Sequence, residues 1–130
     1  MRQSAKLRET AETKINVELN IDGSGIYKIN TGIKFFDHML EQLAHHASFD
    51  LNIEVTSHDK DNHHVVEDVA ITLGQALLEA LGNKKGITRY GEKILPMDEA
   101  LVLSVVDISG RVFSKTDVTV KMKEHLTLKQ

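Results

Sequence analysis

The chain has 130 residues, enough for a domain with a core of its own, and its 41% hydrophobic and 27% charged residues are ordinary for a soluble globular protein. A formal charge of −3, from 16 basic and 19 acidic residues, demands no polyanion partner, so nucleic acid is not expected and a local basic patch need serve no more than a small phosphate. The absence of cysteine excludes disulfides, thiolate metal sites and a cysteine nucleophile, and with no apolar run of membrane-spanning length and no signal peptide after Met1 a soluble, cytoplasmic protein away from membranes is expected.

Residues 1–8 are polar and basic and are expected to form a loosely held terminus. Over residues 13–21, Ile15, Val17, Leu19 and Ile21 alternate with Lys14, Asn16, Glu18 and Asn20, the period of a half-buried strand. Asp22-Gly23-Ser24-Gly25 reads as a turn, and residues 26–30 as the returning strand of a hairpin. Thr31-Gly32 ends that strand. Residues 33–47 then take helical spacing, with Phe36, Met39, Leu40, Leu43 and Ala44 as an apolar stripe. Leu51, Ile53 and Val55 alternate with Asn52, Glu54 and Thr56, giving another strand with one buried face.

A polar loop, His58-Asp59-Lys60-Asp61, leads into a long helix. Val66, Val69, Ala70, Leu73, Ala76, Leu77 and Leu81 are expected to face the core, and Gly82 to stop the helix. Residues 87–95 are mixed, a connecting loop or a short strand, and Pro96 argues against regular structure there. Residues 101–108 are apolar and β-branched, the pattern of a buried strand. Ser109-Gly110-Arg111 reads as a turn. Residues 112–122 alternate loosely, with Val118, Val120 and Met122 on one side. Glu12 and Glu99 each precede a strand-like segment ending in a glycine turn. A second copy of the first unit would then begin near Pro96, unless two hairpins are alike by chance.

The chemistry concentrates at the start of the long helix. His63, His64 and Glu67 stand in the sequence NHHVVED, and on a helix His63 and Glu67 lie one turn apart while His64 and Glu67 lie at i,i+3. The two imidazoles are about 100° apart around the axis, so they can hold two ions on either side of the carboxylate rather than one ion side by side. Imidazole with carboxylate suits Mn, Fe or Zn. The competing reading is a plain helix start, with Asp61 or Asn62 as N-cap and Glu67 favoured by the dipole; it leaves the paired histidines unexplained. His38, in the first turns of the earlier helix, suits a neutral, metal-bound ring, whereas His45 and His46 fit a solvated helix end that favours a cationic imidazole.

Taken together, these stretches resemble the imidazoleglycerol-phosphate dehydratase family of histidine biosynthesis. The matching segments are TAET at residues 10–13, INTGIKFFDHMLEQLAHH at 29–46, FDL at 49–51, HHVVEDVAITLGQALLEALG at 63–82, KGITRYG at 85–91, PMDEAL at 96–101 and VDISGR at 106–111. Their order and spacing agree over nearly all of residues 10–111. The resemblance implies an α+β fold in which a four-stranded, mostly antiparallel sheet carries two helices on one face. That is half of a duplicated unit, expected over residues 1–95; residues 96–130 would be the opening strands of an incomplete second half.

The resemblance also implies a lyase, a Mn2+-dependent dehydratase that removes water from imidazole-glycerol phosphate to give imidazole-acetol phosphate. His38, His63, His64 and Glu67 match metal ligands of the family's first half. Glu12 matches an acidic residue beside the substrate, taking part in proton transfer. His46 matches a histidine lining the substrate site, and Arg89 and Arg111 match substrate contacts suited to the phosphate. Glu12, His38, His64 and Glu67 are thus the expected catalytic set. The family assembles as a particle of twenty-four chains with sites shared at interfaces, so a homo-oligomer is expected. Beyond Arg111 the family's second His-His-x-x-Glu motif has no counterpart. The alternative is a half-unit that binds metal or substrate and oligomerises without turnover.

Overall fold

The computed structural model describes residues 1–118. The element order is β1 (Gln3–Glu9), β2 (Thr13–Asn20), β3 (Tyr27–Asn30), α1 (Lys34–Ala47), β4 (Asp50–Ser57), α2 (Asn62–Leu81), β5 (Tyr90–Met97) and β6 (Ala100–Asp107). The fold is α+β. Two compact units divide after Lys85, ten residues before the boundary expected from the sequence, because residues 90–97 pair with β6.

In the first unit a four-stranded sheet has the order β1-β2-β4-β3. The pairs β1–β2 and β2–β4 are antiparallel, and β3–β4 is parallel, so the sheet is mixed. Ile15, Val17, Leu19, Leu51 and Ile53 alternate onto one face and are buried there with Leu40 and Ala44 of α1 and Val65, Val69, Ala76 and Ala80 of α2. Each fully buried Val, Leu or Ile contributes about 1.5–3 kcal/mol of apolar transfer. Helix α1 packs over β3, and α2 over β1 and β2. Asp61 caps α2 by accepting from His63 N at 2.9 Å. Gly82, at φ +57°, ends α2 as expected.

Three sequence expectations change here. Residues 1–8 are no loose terminus, because β1 pairs along its whole length with β2. Its helix-facing side chains are polar, which hides the strand: Ser4 Oγ donates to Ala76 O at 2.6 Å, Lys6 pairs with Glu79 at 2.5 Å and Arg8 meets Asp68 at 3.4 Å. Residues 26–30 do not return beside β2. Asp50 Oδ1 accepts from Ser24 N and Ile26 N, each at 3.0 Å, and Leu51 N donates to Ile26 O, drawing the chain to the far side of β4. A Cβ on Gly23 would lie 2.5 Å from Asp50 Cγ, so this crossing needs glycine. The third change is the phase of α2. Val65, Asp68, Val69, Thr72, Ala76 and Ala80 are buried, whereas Val66 and Ala70 are exposed.

The second unit contains the β5–β6 hairpin, in which Pro96 stands opposite Leu101. Proline is tolerated because a two-stranded hairpin leaves N–H positions that need no ladder partner. The buried strand expected at 101–108 is present as a strand, but Leu101, Leu103 and Val105 are exposed, since two strands alone provide no covering layer. Residues 112–118 form no regular element. Val120 and Met122 of the strand expected over 112–122 lie outside the described residues.

Candidate metal centre at the start of the long helix

The first two turns of α2 bring an imidazole and a carboxylate together. His63 Nε2 lies 3.3 Å from Glu67 Oε2, and both side chains are more than half exposed. The i,i+4 spacing stacks them on one face of the helix. His64 turns elsewhere, with the two ring centroids 5.7 Å apart. Its Nδ1 meets Asp59 Oδ2 at 2.5 Å, and Asp61 Oδ2 lies further off at 3.9 Å. The hydrogen bond to Asp59 raises the His64 pKa above its ordinary value, with smaller contributions from the charges of Asp59, Asp61 and Glu12. Asp59 is held below the usual carboxylate range, first by the N–H of Asp61 and then by His64.

Glu12 enters from the β1–β2 turn. His58 N donates to the Glu12 carbonyl at 2.7 Å, which ties that turn to the loop preceding α2. Glu12, Asp59, Asp61, His63, His64 and Glu67 therefore gather at one end of the first unit. Beneath them, Thr13 Oγ1 donates to the buried Asp68 Oδ2 at 2.6 Å. That bond joins the start of β2 to α2 and fixes where the helix begins relative to the sheet.

Other expected site residues stand apart. His38 is exposed on α1, and among the described residues no three His, Asp or Glu side chains converge closely enough to hold one ion. The donor chemistry of His63 and Glu67 fits a divalent transition ion as two ligands of a larger set. His46 Nδ1 donates to Gln42 O at 2.9 Å, a bond within its own helix, and its ring lies edge-on to His45. In the second unit Arg89 is bonded to Asp107 at 2.6 and 3.2 Å and stacks 5.0 Å from the Tyr90 ring. The Asp107 carboxyl is held low, chiefly by the Arg89 hydrogen bond, with the charge of Arg111 adding to it. The two arginines thus act on one carboxylate. Asp59 and Asp107 carry no signal in the sequence beyond a polar loop and a strand end.

This arrangement defines a class: a mixed-sheet α+β unit bearing a His-His-x-x-Glu helix start. The family model described as imidazoleglycerol-phosphate dehydratase matches residues 31–129. An imidazoleglycerol-phosphate dehydratase from Caldicellulosiruptor bescii is 55% identical over 116 residues, 88% of this chain and 60% of the relative. One from Dinoroseobacter shibae is 53% identical over 119 residues, 91% of this chain and 61% of the relative. Among solved structures, the Staphylococcus aureus dehydratase superposes with a TM-score of 0.72 at 42% identity, covering 84% of this chain and 59% of that one. The Pyrococcus furiosus protein, solved in complex with a ligand, gives 0.77 at 40% identity, with 92% and 64% covered. The chain belongs to the imidazoleglycerol-phosphate dehydratase family. It spans about three fifths of the length of the curated relatives it matches.

Proposed function

We propose that this chain carries the metal- and substrate-binding part of a Mn2+-dependent imidazoleglycerol-phosphate dehydratase of histidine biosynthesis, working in the cytoplasm. The observation that carries this reading is the convergence of His63 Nε2 and Glu67 Oε2 at 3.3 Å, in a chain of this family. His38, His63, His64 and Glu67 would hold the metal. Mn2+, when bound, would supply a Lewis acid and a template for the substrate. Glu12, in the turn tied to the loop before α2, would carry a proton to or from the substrate carbon skeleton as water leaves. Arg89 would exchange Asp107 for the substrate phosphate and Arg111 would join it there, using the planar fork that guanidinium presents to such oxygens. His46 would line the substrate site.

A homo-oligomer completes the reading. The outer sides of the helices keep Phe35, Met39, Leu43 and Val66 exposed, and apolar residues grouped in this way suit a second copy of the chain. A dehydratase assay with imidazole-glycerol phosphate tests the function. Imidazole-acetol phosphate should form only with added Mn2+, and Glu12→Gln should abolish it. No product with saturating metal would favour the second reading, a unit that binds metal or substrate without turnover.

A further inference from the structure

Asp59 lies in the loop between β4 and α2, five residues before His64. Its Oδ1 accepts from Asp61 N at 3.0 Å, and its Oδ2 meets His64 Nδ1 at 2.5 Å. One oxygen fastens the carboxylate to the loop, and the other faces the ring. Asp61 is a poorer partner, because its Oδ1 already caps α2 at His63 N and its Oδ2 is 3.9 Å away. An ionised carboxylate can only accept, so the neutral ring must carry its proton on Nδ1 and keep the lone pair on Nε2.

We propose that Asp59 is a positioning residue for His64, holding the imidazole as the Nδ1–H tautomer and presenting Nε2 as the donor to a divalent cation. Histidines that ligate metals almost always donate their other ring N–H to a carboxylate, carbonyl or water, which fixes ring orientation and raises ligand basicity. A residue that merely shaped the loop would need only its Oδ1. The inference rests on the reading of this helix start as a metal centre.

Asp59→Asn is the sharper test. The amide oxygen keeps the bond to Asp61 N, so the loop is retained, but an N–H donor now faces His64 Nδ1. The neutral ring should then invert to the Nε2–H tautomer and lose the lone pair it offers to metal. Nitrogen NMR of the neutral ring in the metal-free protein reads the tautomer, and calorimetric titration with MnCl2 reads the affinity. The expected result is Nδ1–H in the unsubstituted protein, Nε2–H in Asp59→Asn, and Mn2+ affinity about 10–100-fold lower in the variant, at an unchanged thermal midpoint. If Asp59→Asn does not fold, Asp59→Ala serves: its ring should show a mixture of tautomers and a similar loss. An Nδ1–H ring persisting in the substituted protein overturns the proposal. So does unchanged Mn2+ affinity in Asp59→Asn when His64→Ala loses binding. If His64→Ala itself binds Mn2+ normally, the metal reading of His64 fails and takes the proposal with it, an outcome distinct from failure at Asp59 alone.

Discussion

His63 Nε2 and Glu67 Oε2 lie 3.3 Å apart on successive turns of α2. The spacing alone places them on one helix face, but the fold decides what else stands nearby. The bond from Thr13 to Asp68 anchors α2 on the sheet, and Asp61 sets its first turn. Asp59 is thereby placed beside His64, and the Glu12 backbone is tied to the loop before α2.

The anchoring bond can be weakened without touching the donors. Thr13 is fully buried, and Thr13→Val leaves Asp68 Oδ2 without that donor. The expected cost is about 1–3 kcal/mol, the penalty for an unpaired buried polar group. Urea unfolding should show it as a lowered midpoint at constant slope. An unchanged midpoint would mean that the Thr13–Asp68 bond does not hold the helix to β2.

At the opposite end, Arg2 forks onto Asp22, with contacts from 2.7 to 3.2 Å. These bonds, led by the Arg2 side chain, lower the Asp22 pKa from its ordinary 3.8 to about 2. The folded carboxyl holds its proton less tightly than the unfolded one, so its stabilising contribution is present above pH 3.8 and is lost as pH falls toward 2. The pair is exposed, so the effect is small. Thermal midpoints of the unsubstituted protein and Asp22→Asn should differ above this window and converge at its acid end; a constant difference would contradict the linkage.

The strand that Arg2 helps to fasten shows what the sequence conceals. β1 turns Ser4, Lys6 and Arg8 toward α2, and those contacts are hydrogen bonds and ion pairs, so no apolar alternation marks it. β2, α1 and β4 were legible because Ile15, Val17, Leu19, Leu51 and Ile53 alternate cleanly and Leu40 and Ala44 share a helical stripe. The parallel pairing of β3 was hidden because Asp50 redirects the 22–26 turn from another part of the chain. In α2 two apolar stripes run side by side, and only packing selects Val65 and Val69 over Val66 and Ala70. The His63–Glu67 spacing is local and could be read directly, whereas the turn of His64 toward Asp59 could not. Asp59 and Asp107 could not be assigned, since their partners are fixed by loop and hairpin geometry.

Arg89 and Arg111 both act on Asp107. Arg89→Lys keeps the charge but loses the planar fork, so binding of a phosphate-bearing substrate analogue should weaken; Arg111→Ala should weaken it as well. Equilibrium binding of the analogue provides the check. Affinity indifferent to alanine at both positions would leave Arg89 as a surface ion-pair partner of Asp107 and remove both arginines from phosphate binding.

Exposed Phe35, Met39 and Leu43 repeat every fourth residue along α1. Pairing of helix layers between copies should make the protein at least dimeric by light scattering at micromolar concentration, and Phe35→Ser with Leu43→Ser should lower the mass. Repeating the measurement with a chelator separates metal bridging from apolar contact. A monomer under both conditions would exclude the helix-layer pairing.

Calorimetric titration with Mn2+ reads directly whether the start of α2 binds metal through His63, His64 and Glu67. Glu67→Gln and His63→Ala each remove a donor from the 3.3 Å pair, so each should weaken Mn2+ by more than the roughly 10–100-fold that outer-shell losses cost, with little change in thermal midpoint. Equal Mn2+ affinity in both variants and the unsubstituted protein would remove this helix start from the metal site.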